Sequence, residues 1–147
     1  MADMIRLDAH IKEHYARKLF IDEGLHHFSP DWIVWRNEPE SHLLEFVEVK
    51  TKPEGKFTAG SNFPYDGHGL DYRQFKNYME CFKQFKIRTK LIIYDILDKK
   101  MYWQYIDCLN FAESKYKYYC NKRIIVFALC LYNEGEFYNG TKNWWRI

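Results

Sequence analysis

Residues 43–52, LLEFVEVKTK, constrain the fold more than any other stretch of this chain. Successive side chains on a strand point to opposite faces, so Val47 and Val49 share one face while Glu48 and Lys50 share the other. The pattern V-E-V-K is a strand with one apolar and one charged face, and the valines are predicted to point into the core. Glu48 and Lys50 then stand about 7 Å apart at ~3.3 Å per residue. A second run, DWIVW at residues 31–35, is also β-branched and aromatic and also carries an acid, Asp31. The turn-rich RNEPES separates the two runs, which read as an antiparallel hairpin with a long loop. If Asp31 faces the same way as Glu48, two carboxylates and an ammonium meet at one place.

The rest of the chain supplies elements to flank such a hairpin. LDAHIKEHYARKLFIDEGL opens on Asp8 as a candidate N-cap, spaces Ile11, Tyr15 and Leu19 as an apolar stripe, and closes on Gly24. It is predicted as an amphipathic first helix. TKPEGKFTAGSNFPYDGHG reads as a long loop, and loops of that length are usually functional or mobile. LDYRQFKNYMECFKQF is predicted as a helix with Asp71 near its start and Phe75, Tyr78, Met79, Phe82 and Phe85 on its apolar face. RTKLIIYDIL and KMYWQYI read as strands, DCLNFAESKYKYYC as a short helix, and RIIVFALCLY as a late strand. EFYNG and WWRI are candidate edge pieces. The order implies an α/β (α+β) fold, a mixed β-sheet with helices on its faces.

At 147 residues the chain suits one domain with a real core. A net charge of +2 is compatible with a polyanionic ligand without arguing for one. No apolar run approaches the ~20 residues of a membrane helix, and the N-terminus lacks the apolar region of a secretory signal. The four cysteines, Cys81, Cys108, Cys120 and Cys130, form no CxxC pair. They read as reduced, mostly buried thiols in a cytoplasmic protein, not as a zinc or iron–sulfur site.

Two carboxylates converging on one spot repel unless a cation intervenes. A hard divalent ion with oxygen ligands, Mg²⁺ or Mn²⁺, fits them. A lysine beside it can hold a water or a developing oxyanion. Metal and ammonium together are what hydrolysis of a phosphodiester requires.

Pro30-Asp31 in SPDWIVW, followed by Glu48-Val49-Lys50 in FVEVKTK, resembles the motif of the PD-(D/E)XK nuclease superfamily. The resemblance spans roughly residues 8–106, and residues 107–147 would form a C-terminal extension of the same single domain. It implies a restriction-endonuclease-like core, a mixed sheet flanked by helices, and a metal-dependent nuclease acting on DNA. It implies that Asp31 and Glu48 bind Mg (or Mn), with Val49 giving its carbonyl as a further ligand, and that Lys50 is catalytic. Many members complete the site with a first-helix acid, for which Glu13 is the candidate, with His14 and His10 as less favoured variants. RecB-like members carry Q-x-x-x-Y after the lysine strand, and Gln74 to Tyr78 has that form, with Gln74 positioning a phosphate or the lysine. Lys52, Lys56, Arg73 and Tyr78 are the candidate nucleic-acid contacts. A chain this small acting on two-stranded DNA often works as a homodimer, a family-level expectation.

Plainer readings stand beside these. Glu48 and Lys50 also read as a solvated ion pair worth ~0–1 kcal/mol. Glu13 reads equally as an exposed helix acid facing Arg17. Tyr78 lies on the apolar stripe and suits a structural role. His68 reads first as a loop residue with no chemical duty, and Trp144-Trp145 as buried rings. An RNA endonuclease with the same metal site, or an inactive nucleic-acid- or protein-binding module on the same fold, are the rival functions.

Overall fold

The computed structural model describes residues 2–6, 32–36, 42–60, 63–110, 114–119 and 122–135; for 2–6, 32–36, 42–44, 114–119 and 122 the description is of backbone. The predicted first helix, with Glu13, His10 and His14, lies outside the described residues. So do Asp31, Cys120 and the two C-terminal edge pieces.

Six strands form the larger sheet: β1 (Ala2–Arg6), β2 (Trp32–Arg36), β3 (His42–Lys52), β5 (Arg88–Asp95), β6 (Lys100–Tyr105) and β9 (Asn133–Gly135), in the spatial order β1-β2-β3-β5-β6-β9. The hairpin read from the sequence is present: β2 runs antiparallel to β3, with Trp32 opposite Val47 and a bulge between Val34 and Trp35. All other neighbours are antiparallel except β3 and β5, which run parallel with Glu48 beside Leu91 and Lys50 beside Ile93. A parallel pair needs a crossover. Here the crossover is β4 (Gly67–Asp71) followed by helix α1 (Tyr72–Phe85). A short helix, α2 (Ile106–Leu109), follows β6.

Strand β4 does not join the larger sheet. It pairs antiparallel with β8 (Lys122–Ala128), which pairs with β7 (Ser114–Tyr119), making a second, three-stranded sheet. Four of these strands depart from the sequence reading, among them Asn133–Gly135, which falls between the expected late strand and EFYNG. Ala2–Arg6 precedes the expected first element. Gly67–Asp71 falls inside the expected loop, because two glycines hide its strand pattern. A Cβ on Gly67 would come within 2.2 Å of the Phe127 carbonyl oxygen and one on Gly69 within 1.9 Å of that of Ile125, so both glycines allow β4 to lie close on β8. Ser114–Tyr119 occupies the second half of the expected short helix, where tyrosines at every second or adjacent position suit a pleated surface.

Helix α1 begins and ends on identifiable residues. Asp71 is its N-cap, accepting a hydrogen bond from the Arg73 backbone N–H at 2.8 Å. Lys86 ends it in the left-handed region at φ 58°. Its buried side, Phe75, Tyr78, Met79 and Cys81, packs in one core with Phe46, Leu91 and Ile93 of the larger sheet and Leu70, Ile125 and Phe127 of the smaller one. The helix is thus packed against both sheets.

The charged face read for β3 is half right. Val47 joins a smaller core with Ile92, Tyr94 and Met101, as expected. The larger core, however, lies on the other side, so Glu48 is buried beside fully buried Phe46 and Leu91. Cysteine burial is also corrected in part: Cys81 is buried, and its thiol is pushed up to about 12 by desolvation, but Cys108 and Cys130 are exposed.

Candidate active site

Strand β3 and helix α1 each bring two side chains to the same place. Lys50 Nζ lies 3.2 Å from Glu48 Oε1 and donates to Gln74 Oε1 at 2.8 Å. Tyr78 donates its hydroxyl proton to Glu48 Oε2. Strand periodicity puts Glu48 and Lys50 on one face, and helix periodicity puts Gln74 and Tyr78 one turn apart on another. Each member of Q-x-x-x-Y therefore holds one member of E-x-K.

Burial makes these bonds matter. Glu48 is 4 % exposed, and a carboxylate so far from water persists as an anion only with donors on its oxygens. It has the Lys50 ammonium on one and the Tyr78 hydroxyl on the other. Lys50 keeps 25 % of its side chain exposed, so its ammonium is anchored yet open on one side. An ammonium has three donors, and two are committed here.

That open side faces a cavity of about 440 Å³. Lys50, Lys52 and Arg73 supply its positive charge, and Asp71, Gln74 and Asn77 the rest of its polar wall. Gly69, Leu70 and Ile124 complete it, so both sheets and α1 contribute. Burial and the neighbouring Lys50 hold the Lys52 ammonium below its ordinary value, with Glu54 opposing them.

The sequence-predicted residues divide accordingly. Glu48, Lys50, Gln74 and Tyr78 meet directly, and Lys52 and Arg73 line the cavity with Lys50 and Gln74. Tyr78 is buried at 3 % exposure with its hydroxyl on Glu48, so the residue read as a nucleic-acid contact acts on the carboxylate instead. Lys56 is absent from the cavity wall and forms an ion pair with Asp98 at 2.9 Å. Val49 is half-buried beside Ile92 on β5. Asp31 and Glu13 lie outside the described residues. Among the described residues, no three His, Cys, Asp or Glu side chains are grouped to hold a metal ion.

Sequence reasoning missed Asn77 and Asp71 as cavity residues. Asn77 is three residues after Gln74 and four after Arg73, and that spacing is a legible signal. It also misplaced His68. That residue lies on β4, is fully buried, and its Nε2 is 3.0 Å from Asp95 Oδ2 on β5. Burial pushes the imidazole below its ordinary value, and the Asp95 contact only partly offsets this.

No family model matches the sequence, and no curated protein does. Among solved structures, the chain is similar to D212, a nuclease from a fusselovirus. The TM-score is 0.52 and the identity 8 %, over 90 % of this chain and 70 % of that one. At that identity the likeness is one of fold, a mixed sheet with helices packed on it. No helix among the described residues is long and apolar enough to cross a membrane.

Proposed function

We propose that this protein is a nuclease of the PD-(D/E)XK type that hydrolyses phosphodiester bonds in DNA with a carboxylate-bound Mg²⁺ or Mn²⁺. The observation that carries the reading is Lys50. Its ammonium is held between a buried Glu48 and Gln74, at the wall of a cavity whose other cations are Lys52 and Arg73. The nuclease fold shared with the fusselovirus protein supports it.

Glu48 offers a hard oxygen donor of the kind Mg²⁺ selects. One carboxylate is too few for a hexacoordinate ion, so the remaining protein donors in this reading are Asp31, Glu13 and the Val49 carbonyl. Trp32, the chain neighbour of Asp31, is opposite Val47, one register step from Glu48. When bound, the metal lowers the pKa of water and offsets charge on the phosphoryl oxygens.

The other roles belong to the chain itself. Gln74 accepts one Lys50 proton and so fixes where the ammonium points. Tyr78 donates to the distal Glu48 oxygen and so fixes the plane of the carboxylate. Lys50 uses its remaining donor to orient the attacking water or to meet the developing negative charge. Lys52 and Arg73 hold the backbone phosphates of the strand.

Purified protein incubated with supercoiled, linear and single-stranded DNA, and with RNA, tests the reading. Each is run with Mg²⁺, Mn²⁺ or EDTA, beside Lys50→Ala and Asp31→Ala. Cutting of DNA that needs metal and is lost in both variants is the expected result. Intact substrates with wild type under every metal condition would overturn the enzyme, and cutting confined to RNA would overturn the substrate.

A further inference from the structure

The apolar run RTKLIIYDIL does not stay in strand to its end. Strand β5 stops at Asp95, and Ile96 and Leu97 pass into the turn that leads to β6. There they are 41 % and 68 % exposed. Among the described residues only Phe85 is another large apolar side chain left so open, and it lies near the other end of β5. Turns favour Gly, Pro, Asn, Asp and Ser, so isoleucine and leucine here suit neither the turn nor its solvation.

This turn is tied down on several sides. The Asp98 backbone N–H donates to Asp95 Oδ1 at 2.9 Å, and Asp95 is itself buried, with its Oδ2 3.0 Å from His68 Nε2. Lys56 pairs with Asp98 at 2.9 Å. The Lys52 carbonyl accepts both the Ile96 and the Gly55 N–H, each at 3.1 Å. Gly55, at φ 80°, lies against Leu97, where a Cβ would come within 3.1 Å of the leucine Cβ. The backbone that carries the two exposed side chains is therefore set before any partner arrives, which lowers the ordering cost of a contact.

Lys52 joins this tip to the cavity. Its side chain lines the cavity, and it stands beside Asp95 in the β3–β5 ladder, one strand spacing of about 4.8 Å away. Its Nζ also lies 5.3 Å over the half-buried Phe57 ring. A cationic wall and an apolar tip are thus neighbours. A nucleic-acid strand has the matching halves, since each nucleotide carries a charged phosphate and a base with an apolar face. A duplex hides those faces in its own stack, whereas an unpaired strand offers them. A protein partner fits less well, because two side chains fall far short of the ~1,200 Å² that a stable interface buries.

We infer that Ile96 and Leu97 contact the unpaired bases of a strand whose phosphates lie along the cavity, so that the substrate is single-stranded or locally opened nucleic acid. The inference rests on the nuclease reading for the phosphates in the cavity.

Binding of the full chain is measured by fluorescence anisotropy in EDTA, where no metal-dependent turnover occurs. The probes are a single strand, the same strand in a perfect duplex, and a strand of equal length with abasic sugars throughout, which keeps the phosphates and removes the bases. The single strand is expected to bind about tenfold or more tighter than either, the value of burying one large aliphatic side chain. Ile96→Asn combined with Leu97→Asn gives the turn a residue type it favours. The double variant should weaken the single strand about tenfold and leave the abasic strand unchanged. Leu97→Asn alone, at the more exposed position, replaces it if the pair fails to fold. An abasic strand or a duplex bound as tightly as the single strand overturns the inference. So does a variant that weakens single and abasic strands equally, or weakens neither. Equal binding of all three probes together with metal-dependent cutting removes the inference and leaves the nuclease. A base-dependent advantage that the variant loses, without cutting of any substrate, removes the nuclease and leaves the strand-binding tip.

Discussion

Glu48 is surrounded by apolar neighbours on its own face of the sheet, and the Tyr78 hydroxyl answers one of its oxygens. Tyr78→Phe deletes that donor without changing the packing. The variant should lose about 1–3 kcal/mol of stability, the range for a buried group left unsatisfied, read from the urea midpoint. A loss below about 0.5 kcal/mol would mean that water replaces the hydroxyl. His68 gives a residue-scale effect with a defined sign. Its folded-state value is pushed below 6.5 by burial, so the unfolded chain takes up the proton first as pH falls. Stability is therefore unaffected by this group above the unfolded value and declines below it. The slope is at most about 1.4 kcal/mol per pH unit, and the loss is complete once the pH passes the lower folded value. Asp95 favours the imidazolium while Lys52 and Lys56 oppose it. Urea unfolding across pH 7.5 to 5 should show this decline in wild type and a shallower one in His68→Gln.

Among the elements the sequence concealed, β4 is one that lines the cavity. Its glycines weaken the alternation by which strands are recognised, yet they are what permits its approach to β8. Gly69→Ala would place a methyl group against the Ile125 carbonyl oxygen and should cost about 3 kcal/mol or more, as overpacking or loss of pairing. Thermal unfolding checks this, and a near-neutral result would mean that β8 can shift. Strand β3 and helix α1 were legible because their patterns are strong: V-E-V-K alternates, and Phe75, Tyr78 and Met79 repeat at helical spacing. The hairpin partner β2 was legible for the same reason. What could not be read was that β3 is buried on both faces. Burial on the Glu48 side is set by β5, β8 and α1, and no local pattern in residues 43–52 reports it. The motif resemblance suggested that Gln74 meets the lysine or a phosphate, whereas the contact of Tyr78 with Glu48 was not read and follows from the crossover.

For the molecule as a whole, a net charge of only +2 would suggest weak interest in polyanions, whereas the cavity concentrates three cations in one wall. Local placement governs binding more than the sum does. If this wall meets a nucleic-acid strand, affinity should fall linearly with salt on logarithmic axes. Lys52→Gln and Arg73→Gln should each flatten the slope by about 0.7–0.9, the value of one neutralised phosphate. A slope unchanged in both variants would place the contact surface elsewhere. Lys56, committed to Asp98, should leave the slope nearly unaltered when replaced.

The two bonds that organise Lys50 and Glu48 span 24 and 30 residues of chain. On a ribosome, β3 emerges well before α1, and β5 later still. A nascent chain thus carries its ammonium and carboxylate without the groups that aim them. Both bonds form only once the crossover is complete, so a chain truncated before residue 74 has E-x-K without the partners that hold it.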